Sequence, residues 1–183
     1  MQYGDVSLSE SMAEFSAGLY TEQTMQTRHL ELSDNVEYVF KVPAKSDAAL
    51  GSSSVYNSSS YVDIVYHKGA VVYHMLRRQI GDKAMQDVLH AWTTKYGNDF
   101  ATVTNLRQVV EKTTGQNLTW FFKQWFEKKG KIQAEVSGRL VPDGDQWLVR
   151  LRFHQVDAAA LKRFKLNGNV FPVGVGKIGR AHV

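Results

Sequence analysis

Histidines and paired acidic residues are the side chains of this sequence that could support metal or acid–base chemistry. No two histidines lie four residues apart, so the H-E-x-x-H pattern, which places two metal ligands on one helical face, does not occur. His67 and His74 are seven residues apart on one face of a predicted helix, where two partly exposed structural histidines are the simpler interpretation. The histidines of the chain are His29, His67, His74, His90, His154 and His182.

Glu10 and Glu14 are four residues apart and share one face of a predicted helix. Ser7 and Glu10 also match the capping-box pattern S-x-x-E, in which the carboxylate accepts the backbone N–H of the serine. Such a cap stabilises a helix by about 0.5–2 kcal/mol, and it leaves Glu14 as a solvated carboxylate. The sequence has no G-x-S-x-G motif and no phosphate-binding loop. Spacing alone therefore indicates no specific catalytic site.

Composition excludes several classes of protein. Of the 183 residues, 43% are hydrophobic and 22% are charged, which is typical of a globular chain and not of a disordered, collagen-like or coiled-coil one. The absence of cysteine excludes disulfides, thiolate zinc sites and a cysteine nucleophile. The net charge of +4 includes no basic run typical of nucleic-acid binding. No segment reaches the roughly 18–20 apolar residues of a membrane span. Composition leaves the localisation and the oligomeric state unknown.

The elements that must position these side chains are mostly helical. Apolar residues at helical spacing predict a helix over residues 8–24. Residues 36–42 are predicted to form a short extended piece, and the Ser-rich residues 46–60 a surface loop. A strong helical block begins near Val62, and three further helices follow it, the last two with Thr104 and Asn117 as predicted N-caps. The predicted ends of the four helices are Gly81, Gly97, Gly115 and Gly130.

After Gly130 the hydrophobic period changes from 3.6 to 2, which predicts antiparallel strands. Strands over 132–140 and 147–154 are separated by a predicted turn at 142–145, and Asn167-Gly168 predicts a second hairpin turn. An unfinished sheet is what a truncated chain would contain. Residues 177–183 resemble the translation of a sequencing-adapter read, so we interpret them as a non-native tail.

Three segments carry a resemblance to a known family. The first, Leu8–Ala17, resembles the segment W-L-(N/S)-E-G-F-A-E-(Y/F) of the aminopeptidase N family of zinc metallopeptidases, the gluzincins. Residues 66–70 with Met75-Leu-Arg77 resemble its Y-x-K-G-A…M-L-R, and residues 118–125 followed by Gly130 resemble its d-L-x-x-F-F-x-Q-W…G. The three motifs occur in the family's order and spacing, which makes the resemblance fairly specific.

The resemblance implies an α+β fold. Residues 1–130 would form the helical C-terminal half of a thermolysin-like catalytic domain, and residues 131–176 the first antiparallel strands of a β-sandwich domain. Glu10 matches the third zinc ligand and Tyr66 the catalytic tyrosine, whose phenol donates to the oxyanion. The implied activity is hydrolysis of N-terminal residues from peptides by water that one zinc ion activates. Lys68, within the second motif, has no assigned role.

The sequence also departs from the family pattern. Ser7 replaces a tryptophan, and Ser11-Met12 replaces Gly-Phe. The H-E-x-x-H segment and the Gly-x-Met-x-Asn strand are absent, as expected of a fragment that begins after them. We therefore expect the isolated chain to be inactive. The alternative is a non-catalytic helical and β interaction module, and the DNA upstream of the Met1 codon, with or without an in-frame H-E-x-x-H, distinguishes the two.

Overall fold

The computed structural model describes residues 5–25, 30–130, 134–143 and 146–155. The chain divides into two compact units, Met1–Lys131 and Ile132–Val183. The described part of the first unit is helical, and the described part of the second is a pair of antiparallel strands. This content is compatible with the helical part of the predicted domain. The thermolysin-like and β-sandwich assignments, and the assignment of residues 177–183 outside the described ranges, stay predictions.

The described residues of the helical unit form six α-helices, one 3-10 turn and one π turn. Gly81 and Gly115 follow α3 and α5 with φ of 93° and 69°, a region that favours glycine, so both predicted helix ends are confirmed. The elements are α1 (Val6–Met25), α2 (Leu30–Lys41), a 3-10 turn (Ser53–Asn57), a π turn (Asp63–Lys68), α3 (Gly69–Ile80), α4 (Asp82–Tyr96), α5 (Val103–Thr114) and α6 (Thr119–Trp125).

The start of α1 differs from the prediction in a way that concerns Glu10. Asp5 provides the cap, because its Oδ1 accepts the backbone N–H of Ser7 at 3.1 Å. Ser7 lies inside the helix and is fully buried. The predicted capping box between Ser7 and Glu10 is therefore wrong, since the helix begins two residues earlier than that box requires. The Glu10 carboxylate is left available for another partner.

The predicted extended piece over residues 36–42 is also wrong, because these residues belong to α2 and its C-terminal end. The β-branched and aromatic side chains of this segment favour a strand. Asn35 of α2 is nevertheless buried, at 7% exposure, and so is Val42, directly after the helix, at 4%. Contact with the π turn, which the local sequence does not encode, thus overrides local strand propensity.

The N-cap of α5, like that of α1, lies two residues before the predicted position. Thr102, and not the predicted Thr104, is the N-cap, with its Oγ1 accepting the N–H of Asn105 at 3.3 Å and its own N–H donating to Asn105 Oδ1 at 2.9 Å. The two bonds form a capping box with asparagine in place of the usual glutamate. Both threonines precede the apolar stripe, so sequence alone could not rank them.

An aromatic core joins α1, α3 and α6. Tyr73 of α3 lies between Phe15 of α1, at a ring separation of 5.7 Å, and Phe126 at 6.0 Å. Phe126 stacks in turn on Phe122 at 5.0 Å. Phe121 and Phe122 of α6 are each 1% exposed and belong to the buried core. This core holds α1 against α3 and so fixes the relative positions of the first two sequence motifs.

Tyr73→Phe is expected to destabilise the unit by about 1–3 kcal/mol at neutral pH, because the phenol donates to the buried Ser7 carbonyl at 2.9 Å. Burial and nearby Asp5 raise the pKa of Tyr73 well above its ordinary value. The contribution of the Tyr73 phenol to the free energy of unfolding is thus complete below pH ~10. It declines as the pH rises past the pKa of a tyrosine in the unfolded chain, because the phenol ionises first in the unfolded state. Urea unfolding at pH 7 and at pH 11 checks this, and an equal difference between the native chain and the variant at both pH values would contradict it.

The second unit contains β1 (Ala134–Asp143) and β2 (Gln146–Gln155). They pair antiparallel, from Ala134 opposite Gln155 to Asp143 opposite Gln146. The predicted strands and their antiparallel pairing are confirmed, but the connection is shorter than the predicted turn because β1 extends through Pro142 and Asp143. The predicted hairpin at Asn167-Gly168 lies outside the described residues. None of the described helices is long and apolar enough to cross a membrane.

Candidate active site

The structure brings Glu10 and Tyr66 into direct contact although 56 positions separate them in the chain. The phenol O–H of Tyr66, in the π turn, donates to Oε2 of Glu10, on α1, at 2.8 Å. Both side chains are half-buried, so they line a surface that a ligand can reach. The carboxylate can bind a metal ion or accept a proton, and the phenol beside it can donate a hydrogen bond. The roles predicted for the two residues stay predictions.

The π turn that carries Tyr66 is fixed against α1 at its first residues. In this turn the Gly69 N–H reaches back to the carbonyl of Ile64, five residues earlier. The Val65 carbonyl then accepts Ser11 Oγ–H at 2.5 Å, in a buried position. Ser11, one of the departures from the family pattern, therefore bonds directly to the turn that presents Tyr66. The π geometry carries no signal in the sequence, which predicted a regular helix here.

Gly69 permits the close approach of α1 to the π turn. A Cβ added at this position would overlap Oγ and Cβ of Ser11 and would lie 3.3 Å from its Cα. Gly69 is itself buried. Gly69 therefore allows α1 to approach closely at Ser11, the residue that directly follows Glu10.

Gly69→Ala is expected to destabilise the helical unit by about 1–3 kcal/mol, because the added methyl group overlaps Ser11. In a Ser11→Gly background the same substitution should cost clearly less, since the overlapping side-chain atoms are then gone and the nearest backbone atom of residue 11 lies 3.3 Å from the methyl group. Urea unfolding of the four variants in this double-mutant cycle measures the coupling. Additive effects of the two substitutions would show that the two helices do not meet at this point.

The surroundings of Tyr66 keep its phenol protonated. The hydrogen bond to Glu10, followed by burial and the negative charge of Glu10, raises the pKa of Tyr66 above its ordinary value, with smaller effects of Tyr61 and Glu14. The Tyr61 ring lies edge-on to the Tyr66 ring at 6.5 Å. A protonated phenol beside a carboxylate is a hydrogen-bond donor throughout the physiological pH range.

His67 and His74 contact different elements. His67 Nδ1 lies 2.7 Å from Oδ1 of Asn35, and its ring stacks on Tyr38 of α2 at 4.2 Å. His74 packs edge-on against Phe15 of α1 at 4.8 Å. The shared helical face predicted from their spacing therefore does not produce a shared site between them. Asn35, which holds the His67 ring, gave no signal in the sequence.

Glu10 fits one position of a metal site, and the described residues do not complete that site. No group of three or more His, Cys, Asp or Glu side chains in the described ranges is arranged to hold a metal ion. A half-buried carboxylate is nevertheless a ligand that zinc accepts alongside imidazoles.

Comparison with known proteins identifies the family. The model of the peptidase family M1 domain matches residues 1–125, more than half of the chain. The chain belongs to peptidase family M1. This M1 chain is similar to Aminopeptidase N of Lactococcus lactis subsp. lactis, with 32% identity over 101 residues. The similarity covers 49% of the M1 chain and 12% of that relative. The resemblance to the aminopeptidase N family is thereby confirmed.

Proposed function

We propose that this M1 chain is part of a zinc-dependent aminopeptidase that hydrolyses N-terminal residues from peptides. Membership of peptidase family M1 supports a peptidase, and the similar lactococcal protein is an aminopeptidase N. The observation that carries the proposal is the 2.8 Å hydrogen bond between Tyr66 and Glu10, which joins the two residues that match the family's catalytic and ligand positions. Two motifs far apart in sequence thus meet at one surface.

In this proposal Glu10 is the carboxylate ligand of one zinc ion. Bound zinc polarises the scissile carbonyl and lowers the pKa of water towards about 7. Helix α1 supplies a rigid support for Glu10, because Ser11 is bonded to the π turn and Phe15 is packed in the core. A ligand held by a packed helix loses little conformational freedom when it binds the metal.

Tyr66 in this proposal donates its phenol proton in a hydrogen bond to the substrate oxygen that becomes negative during hydrolysis. The group is protonated because of its raised pKa, and it is aimed at the Glu10 carboxylate. To act in hydrolysis, the phenol exchanges its hydrogen bond to Glu10 for one to the substrate oxygen, where a donor stabilises the developing negative charge. Recognition of the free α-amino group of the peptide, and the preference for the residue that is cleaved off, depend on segments other than these two residues.

The domain assignment is part of the same proposal. Residues 1–130 are the helical part of a thermolysin-like catalytic domain, residues 131–176 are the start of a β-sandwich domain, and residues 177–183 are a non-native tail. The family match over residues 1–125 and the antiparallel pair β1 and β2 support the first two assignments. The isolated chain is inactive in this proposal, since one carboxylate cannot hold a catalytic zinc ion. No described feature favours the alternative of a non-catalytic interaction module.

The proposal is tested with the protein expressed from the intact gene, with whatever sequence precedes residue 1. It should hydrolyse aminoacyl-p-nitroanilides, lose that activity to a chelator and regain it with zinc, whereas N-acetylated substrates should be resistant. The 183-residue chain alone should give no turnover. Absence of turnover by the intact gene product, or equal cleavage of acetylated substrates, would contradict an aminopeptidase.

A further inference from the structure

Lys68 carries a buried charge that the proposed roles of Glu10 and Tyr66 do not use. Its side chain is 6% exposed, and its Nζ lies 3.0 Å from Oδ1 of Asp47, whose side chain is 11% exposed. Removing an ammonium group and a carboxylate from water is unfavourable unless the two remain paired in a fixed geometry. The pair therefore restricts where Lys68 can lie much more than a surface ion pair would.

Asp47 also binds a third segment of the helical unit. Its Oδ2 accepts the backbone N–H of Gly130, which follows α6. The same loop is tied to the end of α6 at Gly51, whose N–H donates to the Phe126 carbonyl at 2.8 Å. With two attachments to the α6 end, the loop holds Asp47 in a fixed place relative to the helical core.

Lys68 is the last residue of the π turn that presents Tyr66. π geometry is rare in proteins and occurs frequently at functional sites. Ser11 holds the turn at Val65, and Asp47 holds it two residues beyond Tyr66. The Tyr66 backbone is thus fixed from both sides by buried polar contacts to different elements.

We infer that Asp47, acting through Lys68, is a positioning residue for the Tyr66 phenol. The ion pair anchors the C-terminal end of the π turn, so that the phenol oxygen remains at the Glu10 carboxylate. The effect on turnover rests on the proposed aminopeptidase function, whereas the effect on the position of Tyr66 does not. Neither Asp47 nor Lys68 is expected to contact the substrate.

The test replaces both charges together by groups of similar volume, in the Lys68→Met/Asp47→Asn variant, so that no unpaired buried charge remains. In the intact gene product, the 19F resonance of 3-fluorotyrosine at position 66, assigned with Tyr66→Phe, should shift. The kcat should fall about tenfold or more with KM changed by less than about twofold, since a displaced catalytic group affects chemistry more than binding. The matched control is Lys83→Met/Asp87→Asn, which removes an ion pair with side chains 79% and 49% exposed and should change neither quantity.

An unchanged Tyr66 resonance in a folded double variant would overturn the inference. If the double variant fails to fold, Asp47→Asn alone removes the ion pair while keeping the size of the side chain, and an unchanged resonance there would overturn the inference equally. If the unsubstituted protein hydrolyses no peptide, the proposed function fails, and the resonance alone decides whether Asp47 positions Tyr66.

Discussion

Glu10→Gln in the protein expressed from the intact gene should lower zinc affinity by about 10²-fold or more and reduce peptide hydrolysis at sub-saturating zinc accordingly. Loss of a partner that only orients a ligand already costs about 10- to 100-fold in affinity, so loss of a direct ligand should cost at least as much. The amide keeps the size of the side chain and can still accept the hydrogen bond from Tyr66, which is 2.8 Å long in the unsubstituted chain. Zinc content after dialysis against a metal buffer, together with turnover, measures the effect.

The matched control for this substitution is Glu37→Gln. Glu37 lies on α2 with its side chain 67% exposed, and it pairs only with Lys41 in the contacts described for it. Zinc content and turnover should be the same as in the unsubstituted protein. Full zinc occupancy in Glu10→Gln would show that the carboxylate is not a ligand, and the hydrogen bond to Tyr66 would then be a structural contact.

Tyr66→Phe should lower kcat by about 10²–10³-fold, which corresponds to about 2.7–4 kcal/mol, and leave zinc content unchanged. The substitution removes the phenol donor and keeps the ring that packs against Tyr61 at 6.5 Å. Because the lost hydrogen bond strengthens only as charge develops on the substrate oxygen, KM should change little. Steady-state kinetics with an aminoacyl-p-nitroanilide, combined with metal analysis, checks both parts.

Tyr20→Phe provides the control, because Tyr20 is 68% exposed on the far part of α1. It should retain full kcat. A kcat of Tyr66→Phe within about threefold of the unsubstituted value would exclude the phenol as the oxyanion donor. A large loss of zinc in the same variant would instead indicate that Tyr66 acts through Glu10 on the metal.

The parts of the fold that depend on local backbone preferences could be predicted from the sequence. Glycines end α3 and α5 because positive φ is cheap only for glycine, and the change of hydrophobic period located β1 and β2 correctly. The extended piece over 36–42 was wrong, because contact of α2 with the π turn overrides the strand propensity of its residues. The capping box at Ser7 is wrong because Asp5, two residues earlier, is an equally good cap and the local sequence does not rank the two.

The candidate site was predictable only in part. Glu10 and Tyr66 were found through motifs, and nothing in their separate spacing shows that they touch. The supporting contacts gave no signal, because Ser11 looks like an ordinary helical serine and Asp47 like any polar residue of a Ser-rich loop. Lys68 stood in a recognisable motif without a role, and the structure supplies its buried partner. Long-range pairing of this kind is set by tertiary packing, which one sequence does not reveal.

The most direct measurement is the anomalous diffraction of zinc in crystals of the protein expressed from the intact gene. Data collected on both sides of the zinc absorption edge locate the metal without reference to activity. We expect one zinc peak with a Glu10 carboxylate oxygen at about 2.0–2.2 Å and the Tyr66 phenol beside the metal site. A zinc peak that Glu10 does not contact, or a Tyr66 side chain directed away from the metal, would contradict the assignment of this surface as the active site.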